Sequence, residues 1–373
     1  MQRIKTKEAF MNISFKSYSI HNEDGSLALS YPAGISYATV SNSESDGGYR
    51  FSLGASIIKF KNIWLISYLE SLVTENDTES RFVCKYSFDE CKSFSNTGTI
   101  AGAEAPYSRS HGVFYNDGET LWAYCPKAMF GRSTPECLHP NLTLEAYRFN
   151  EKTLGWELIK TVLDEPFWPM CEPIRLSNGR LVMAGINRFV QKGGGCSSAV
   201  AISDGDPLSW RVVNLENPEK IKMWAETTVV EYPDRLVAFI RTNIEDSIVA
   251  LSESFDSGDS WTPIRRSDIQ ANESKFYAGT LSDGRRYFIR NIGETSTTKG
   301  DRGRLTLAIS VEDSEGVFGE PMLIRHGFDV KSKYFKPQWA YPYAVEDDGK
   351  LYVVYSKHKE NTELAIIPIK SLK

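Results

Sequence analysis

The chain of 373 residues lacks any run of eighteen apolar residues, so a membrane-crossing helix is excluded. It carries no excess of basic charge. The formal net charge of -5 argues against a nucleic-acid partner, and no membrane partner is expected. Its first residues, Met1 to Glu8, lack the apolar core of a secretory signal, so a cytoplasmic location is expected. Cysteine and histidine are scarce, at 6 and 5 residues. Free thiols are the expectation for Cys84, Cys91, Cys125, Cys137, Cys171 and Cys196 in such a compartment. Cys125, Cys137 and His139 match no standard metal spacing, so no metal and no cofactor is expected.

What the chain has is repetition. Aromatic residues make up 12% of it, which suits repeated sheet packing and sugar stacking. Six segments share one pattern of apolar run, polar turn and second apolar run, reading as strand, tight turn, strand. Their turns fall at Asn62, Gly118, Gly179, Asp234, Gly284 and Gly349, with gaps of 56, 61, 55, 50 and 65 residues. Periods near this size with about four strands each indicate propeller blades. The expected fold is all-β, a six-bladed β-propeller of four-stranded antiparallel blades. Length alone suggests two or three domains, but blades of one ring cannot fold separately, so residues 1–373 are read as a single domain. The final strand, Glu363 to Ile369, needs a partner, and Ile13 to Ile20 is the expected N-terminal strand that closes the ring.

A second repeat is independent of the first. Ser254-Phe255-Asp256-Ser257-Gly258-Asp259-Ser260-Trp261 is its best copy. Ser87-Phe88-Asp89-Glu90-Cys91-Lys92-Ser93-Phe94 repeats it with Cys where Gly stands, and looser copies begin at Ser203 and Ser310. Asp can cap the turn's backbone N–H groups, Gly supplies positive φ, and the aromatic folds back as a plug. This octad resembles the Asp-box of sialidase-type β-propellers, where it lies on outer hairpins away from the active site. It speaks for architecture rather than chemistry.

In a propeller the innermost strands surround a channel. The residues that open the six inner strands are Gly54, His111, Glu172, Glu226, Tyr277 and Tyr341. Five of the six hydrogen-bond or titrate, which marks the channel mouth as the candidate site.

The segment from Glu226 through Arg241 into the best octad is similar to the sialidase pattern, in which a Glu opens a strand, an Arg closes the next and an Asp-box follows. Tyr341-Pro342-Tyr343-Ala344-Val345 resembles the segment carrying that family's nucleophile. The resemblance implies an exo-glycosidase that releases a terminal, acidic sugar with retention. It implies Tyr341 as nucleophile, Glu226 as the base that polarises it, and Arg241 in a three-arginine clamp on the substrate carboxylate. Arg302, with Arg304 as rival, matches a second clamp position, and Arg50 in Tyr49-Arg50-Phe51-Ser52 is the nearest match to the first. The chemistry is coherent: a carboxylate nucleophile would be repelled by an acidic sugar, whereas a neutral phenol beside a Glu is not. Guanidinium forks bind a carboxylate bidentately. The expected partner is therefore a carbohydrate.

The acid position of the family has no clear counterpart. Glu70, Glu75, Asp77 and Glu79 lie in the corresponding loop and read as surface charges. Ser108-Arg109-Ser110-His111-Gly112 departs from the family pattern. There Arg109 is a candidate for substrate binding and His111 for acid–base work. Glu172 offers another carboxylate and Tyr277 another phenol facing the same space. The competing readings are a polysaccharide lyase or a glycosidase of other specificity using His111 with Tyr277 or Tyr341, and a sugar-binding propeller without catalysis.

Overall fold

A computed structural model describes residues 14–18, 22, 30–43, 47–75, 77–129, 139, 141–190, 196–243, 247–272, 274–292, 306–327 and 332–373. Among them the chain is all-β apart from a 3-10 turn at Ile369–Ser371. The strands form a propeller-like arrangement of two four-stranded sheets, two five-stranded sheets and one ten-stranded sheet.

The first sheet is a meander of Phe51–Phe60, Ile63–Ser71, Arg81–Ser87 and Gly98–Ala101. The second and third depart from the expected four strands because the innermost strand is broken in two. Ser108–Arg109 and Val113–Asn116 both pair with Leu121–Ala128, and Phe167–Pro169 and Ile174–Arg175 both pair with Leu181–Val190. In the third sheet the break holds Pro173, which has no N–H to give a ladder.

The ten-stranded sheet contains two meanders. One runs Met223–Tyr232, Arg235–Thr242, Ile248–Ser254 and Arg265–Gln270. The other runs Tyr277–Thr280, Arg286–Ile292, Thr306–Ser314 and Met322–Arg325, with Val317–Phe318 on its edge. Lys16–Ser17 lies parallel to both and joins them. The last sheet takes Trp339–Asp347, Lys350–Lys357 and Asn361–Pro368, and its fourth strand is Ser36–Ser41. This corrects the expected closing strand: the 36–41 segment completes the sheet, while Lys16–Ser17 bridges elsewhere. Both stretches alternate polar and apolar residues, and alternation alone does not choose between edges.

Burial follows the pattern of the strands. Side chains that alternate out of each sheet meet those of its neighbour, as where Phe239, Phe288, Phe276, Phe318 and Phe15 form one cluster between the two meanders. Polar ties repeat on the rim of hairpin turns. Glu231 accepts hydrogen bonds from Ser177 N and Oγ, Glu346 does the same for Ser282, Arg175 donates to Tyr115 Oη and Lys59 pairs with Asp347.

The two octad turns share one geometry. Asp256 Oδ1 accepts from Ser260 N at 2.8 Å and Asp89 Oδ1 from Ser93 N at 2.9 Å, and Ser254 or Ser87 Oγ accepts the N–H of Gly258 or Cys91 at 2.9 Å. Cys91 adopts φ +63 where the other turn has Gly258 at +96, so cysteine occupies a left-handed position without changing the turn.

At the opposite ends of the inner strands the ladders are irregular. Register shifts fall between Leu53 and Ser56, Met223 and Thr227, and Ala340 and Tyr343. Each bulge holds a residue of positive φ: Gly54 at +66, Ala225 at +63 and Tyr341 at +58. A bulge adds a residue and re-aims the side chains beside it.

Candidate active site

Two of these bulges build a cluster. In the Met223–Thr227 bulge, left-handed Ala225 turns the buried Glu226 toward Arg241, which sits on the next strand. Arg241 Nη1 donates to Glu226 Oε2 in a buried ion pair. The same nitrogen lies 3.5 Å from Tyr341 Oη, supplied by the Ala340–Tyr343 bulge of the last sheet. Tyr341 at φ +58 is a strained backbone for a bulky residue, and such strain gathers at functional positions. Burial tends to weaken the Arg241 cation, but the Glu226 carboxylate and Tyr341 beside it outweigh this and its pKa lies above the usual range. The guanidinium is permanently charged. Trp224, 43% exposed, lies over it with its ring centroid 5.9 Å from the guanidinium carbon.

His111 joins this cluster from the second sheet. Its ring packs against Trp168 at 5.2 Å and edge-on to Tyr341 at 6.1 Å. Its place depends on Gly54, because a Cβ at residue 54 would stand 2.1 Å from His111 Cγ. Burial, seconded by Lys275, pushes its pKa down to about 4, against the pull of Glu226 and Glu75, so the imidazole is neutral at neutral pH. Glu75 is paired with Lys359 at 2.8 Å, close enough for both to act on His111. Of the four acidic residues in that loop, Glu75 is thus nearest the cluster by its effect. Glu70 is tied to Arg81, and Asp77 accepts from the Glu79 N–H.

Glu172 and Tyr277 stand apart from Arg241. Tyr277 Oη donates to Glu172 Oε1, and Tyr343 reaches the same carboxyl. Burial raises the Glu172 pKa despite these hydrogen bonds, and burial and Glu172 together hold Tyr277 well above the ordinary phenol range. A cavity of about 310 Å³ lies beside this second pair. Glu172, Thr228, Glu231, Tyr277, Tyr287 and Glu346 line it, and Glu226, Arg241 and Tyr341 do not. Glu172 and Tyr277 therefore do not share the first cluster's contacts, contrary to the expectation that all mouth residues face one space.

Arg109, a candidate for substrate binding, is already engaged. Its buried guanidinium is taken up by Glu145 and, at 2.8 Å, by Glu104, within its own sheet's surroundings. Arg50 is exposed and lies over the Tyr334 ring at 5.2 Å. Arg302 and Arg304 lie outside the described residues, as does Cys137. Cys84, Cys91, Cys125 and Cys171 are free and buried, and Cys196 is buried. Among the described residues no group of three or more His, Cys, Asp or Glu side chains is arranged to hold a metal ion.

Lys275 is the residue that the sequence reading missed. It is buried between the two pairs, and Nζ donates to the Pro342 carbonyl at 3.3 Å. Burial lowers its pKa, opposed by Glu226, Cys171 and Glu172. The signal was a lone cation just before the apolar run Phe276-Tyr277-Ala278, two residues before the strand-opening Tyr277.

The BNR repeat-like domain family matches residues 113–353, about two thirds of the chain. A search of curated proteins gives no match. Among solved structures, a protein of unknown function from Dyadobacter fermentans superposes with a TM-score of 0.70 at 17% identity, over 90% of this chain and 99% of that one. The NanB sialidase of Streptococcus pneumoniae gives 0.67 at 12% identity, over 90% of this chain and 71% of that one. A Trypanosoma rangeli sialidase, solved with 2,3-difluorosialic acid as a covalent intermediate, gives 0.67 at 16% identity over 92% of this chain. This chain spans 60% of that sialidase. At such identities the likeness establishes the fold, and with the family match over residues 113–353 it makes this chain a member of the BNR repeat-like domain family with a sialidase-like propeller.

Proposed function

We propose that the protein is an exo-glycosidase of sialidase type that releases a terminal acidic sugar with retained configuration, on a ring of six four-stranded blades. The two meanders that Lys16–Ser17 joins count as separate blades in this reading, supported by their separate hairpins and by their packing through the Phe239–Phe288 cluster.

The observation that carries the reading is Arg241, whose one guanidinium meets both Glu226 and Tyr341 at paired bulges. In the proposed reaction the substrate carboxylate docks on the Arg241 guanidinium, with Arg50 and Arg302 as further candidates. Glu226 takes the phenolic proton as Tyr341 Oη bonds to the anomeric carbon. The glycosidic bond breaks, and the leaving oxygen takes a proton from solvent at the mouth. Water then attacks the same carbon from the vacated face and gives up a proton, and the Tyr341 oxygen leaves and recovers its own from Glu226. Two inversions retain configuration. His111, neutral and edge-on to Tyr341, is suited to hydrogen-bond the sugar rather than to act as a strong acid.

The test is hydrolysis of aryl glycosides of neuraminic, glucuronic and neutral sugars, with proton NMR of the first-formed anomer. Turnover of the neuraminic substrate with retention is expected. Inversion, an unsaturated product, or turnover confined to neutral glycosides would overturn it, the second outcome in favour of a lyase.

A further inference from the structure

Lys275 has no part in the reaction above, yet it is 6% exposed and its charge bears on Glu226, Glu172 and His111. The groups that face it come from every neighbouring inner strand: Glu226, Glu172 with Cys171, His111, and the rings of Tyr277 and Tyr343 at 6.0 and 5.8 Å. Among the described residues its hydrogen-bond acceptor is the Pro342 carbonyl, and no carboxylate stands at ion-pair distance. A buried ammonium held by one backbone oxygen is a costly arrangement that an apolar side chain of similar length would relieve. The residue it holds follows Tyr341, whose left-handed backbone needs an outside constraint.

We propose that Lys275 is a positioning residue for Tyr341. Its ammonium anchors the Pro342 carbonyl and fixes the bulge that presents the phenol to Arg241. This inference rests on the reading of Tyr341 as nucleophile.

The experiment compares wild type with Lys275→Met, Lys275→Arg and Tyr341→Phe. Melting temperature, kcat and KM on an aryl sialoside are measured. So is the ultraviolet difference titration of the phenol that Tyr341→Phe removes. Lys275→Met is expected to melt at or above wild type, to lose about 10²-fold in kcat with KM little changed, and to titrate that phenol at higher pH. Lys275→Arg should recover part of the kcat. A Lys275→Met protein that keeps wild-type kcat, or leaves the phenol's titration unmoved, overturns the proposal. If wild type turns over no sialoside, the nucleophile reading fails on its own, and the phenol titration still decides the role of Lys275. If Lys275→Met melts lower, the titration of its folded state decides in the same way.

Discussion

Two tyrosine–glutamate pairs stand near the starts of the inner strands, and their surroundings set them apart. Tyr277 donates straight to Glu172, and burial raises the carboxyl's pKa against the hydrogen bonds it accepts. Tyr341 and Glu226 meet instead through Arg241, a permanent cation that favours a carboxylate and a developing phenolate beside it. Backbone marks the same contrast. Glu226 and Tyr341 belong to bulges with left-handed residues, whereas Tyr277 begins an unshifted ladder opposite Ile289. A phenol next to a carboxyl is thus not by itself a reactive pair. The cation and the bulge that aims the side chains make the difference.

The largest expected effect tests that contrast by deleting each phenol. Tyr341→Phe should lower kcat on an aryl sialoside by at least about 10³-fold, and Tyr277→Phe should change it by less than about threefold. A dead Tyr277→Phe beside an active Tyr341→Phe would invert the assignment. Next in size is the cation. Arg241→Lys should cost at least about tenfold in kcat/KM on an acidic glycoside, because the two-pronged contact is lost. Equal losses on acidic and neutral glycosides would remove the carboxylate from the argument.

The contrast was only half legible in the sequence. Glu226 and Tyr341 could be singled out because each opens an inner strand within a repeated period, and Arg241 was named by the resemblance to the sialidase pattern. Their separation from Glu172 and Tyr277 could not, since it arises from bulges that shift register and leave no compositional mark. The engagement of Arg109 was hidden for a related reason: its partner Glu145 lies 36 residues away on another strand, and only the register brings them together. Lys275 escaped because it precedes its strand rather than opening it. The octad turns were legible throughout, because the Ser, Asp, Ser and aromatic that make the hydrogen bonds are local in sequence.

Smaller effects sharpen the comparison through stability. The folded pKa of Glu172 is raised, so its favourable contribution is complete below its ordinary value of 4.5 and is lost as pH climbs through the folded value. Relative to wild type, Glu172→Gln should therefore gain stability as pH rises from 4 to 8 in urea unfolding. A gain on acidification instead would show that the carboxyl is ionised in the fold. Asp256→Ala, far from both pairs, should cost about 1–2 kcal/mol through its turn cap and leave kcat of the folded protein intact.

The central claim is that Tyr341 bonds to the sugar. Incubation with a 2,3-difluorinated sialic acid, followed by intact-mass and peptide mass spectrometry, measures this directly. The account predicts one added glycosyl group, mapped to Tyr341 and absent from Tyr341→Phe. A label on Tyr277, Glu172 or another side chain, or an enzyme that hydrolyses sialosides yet never accumulates the adduct on Tyr341, would contradict it.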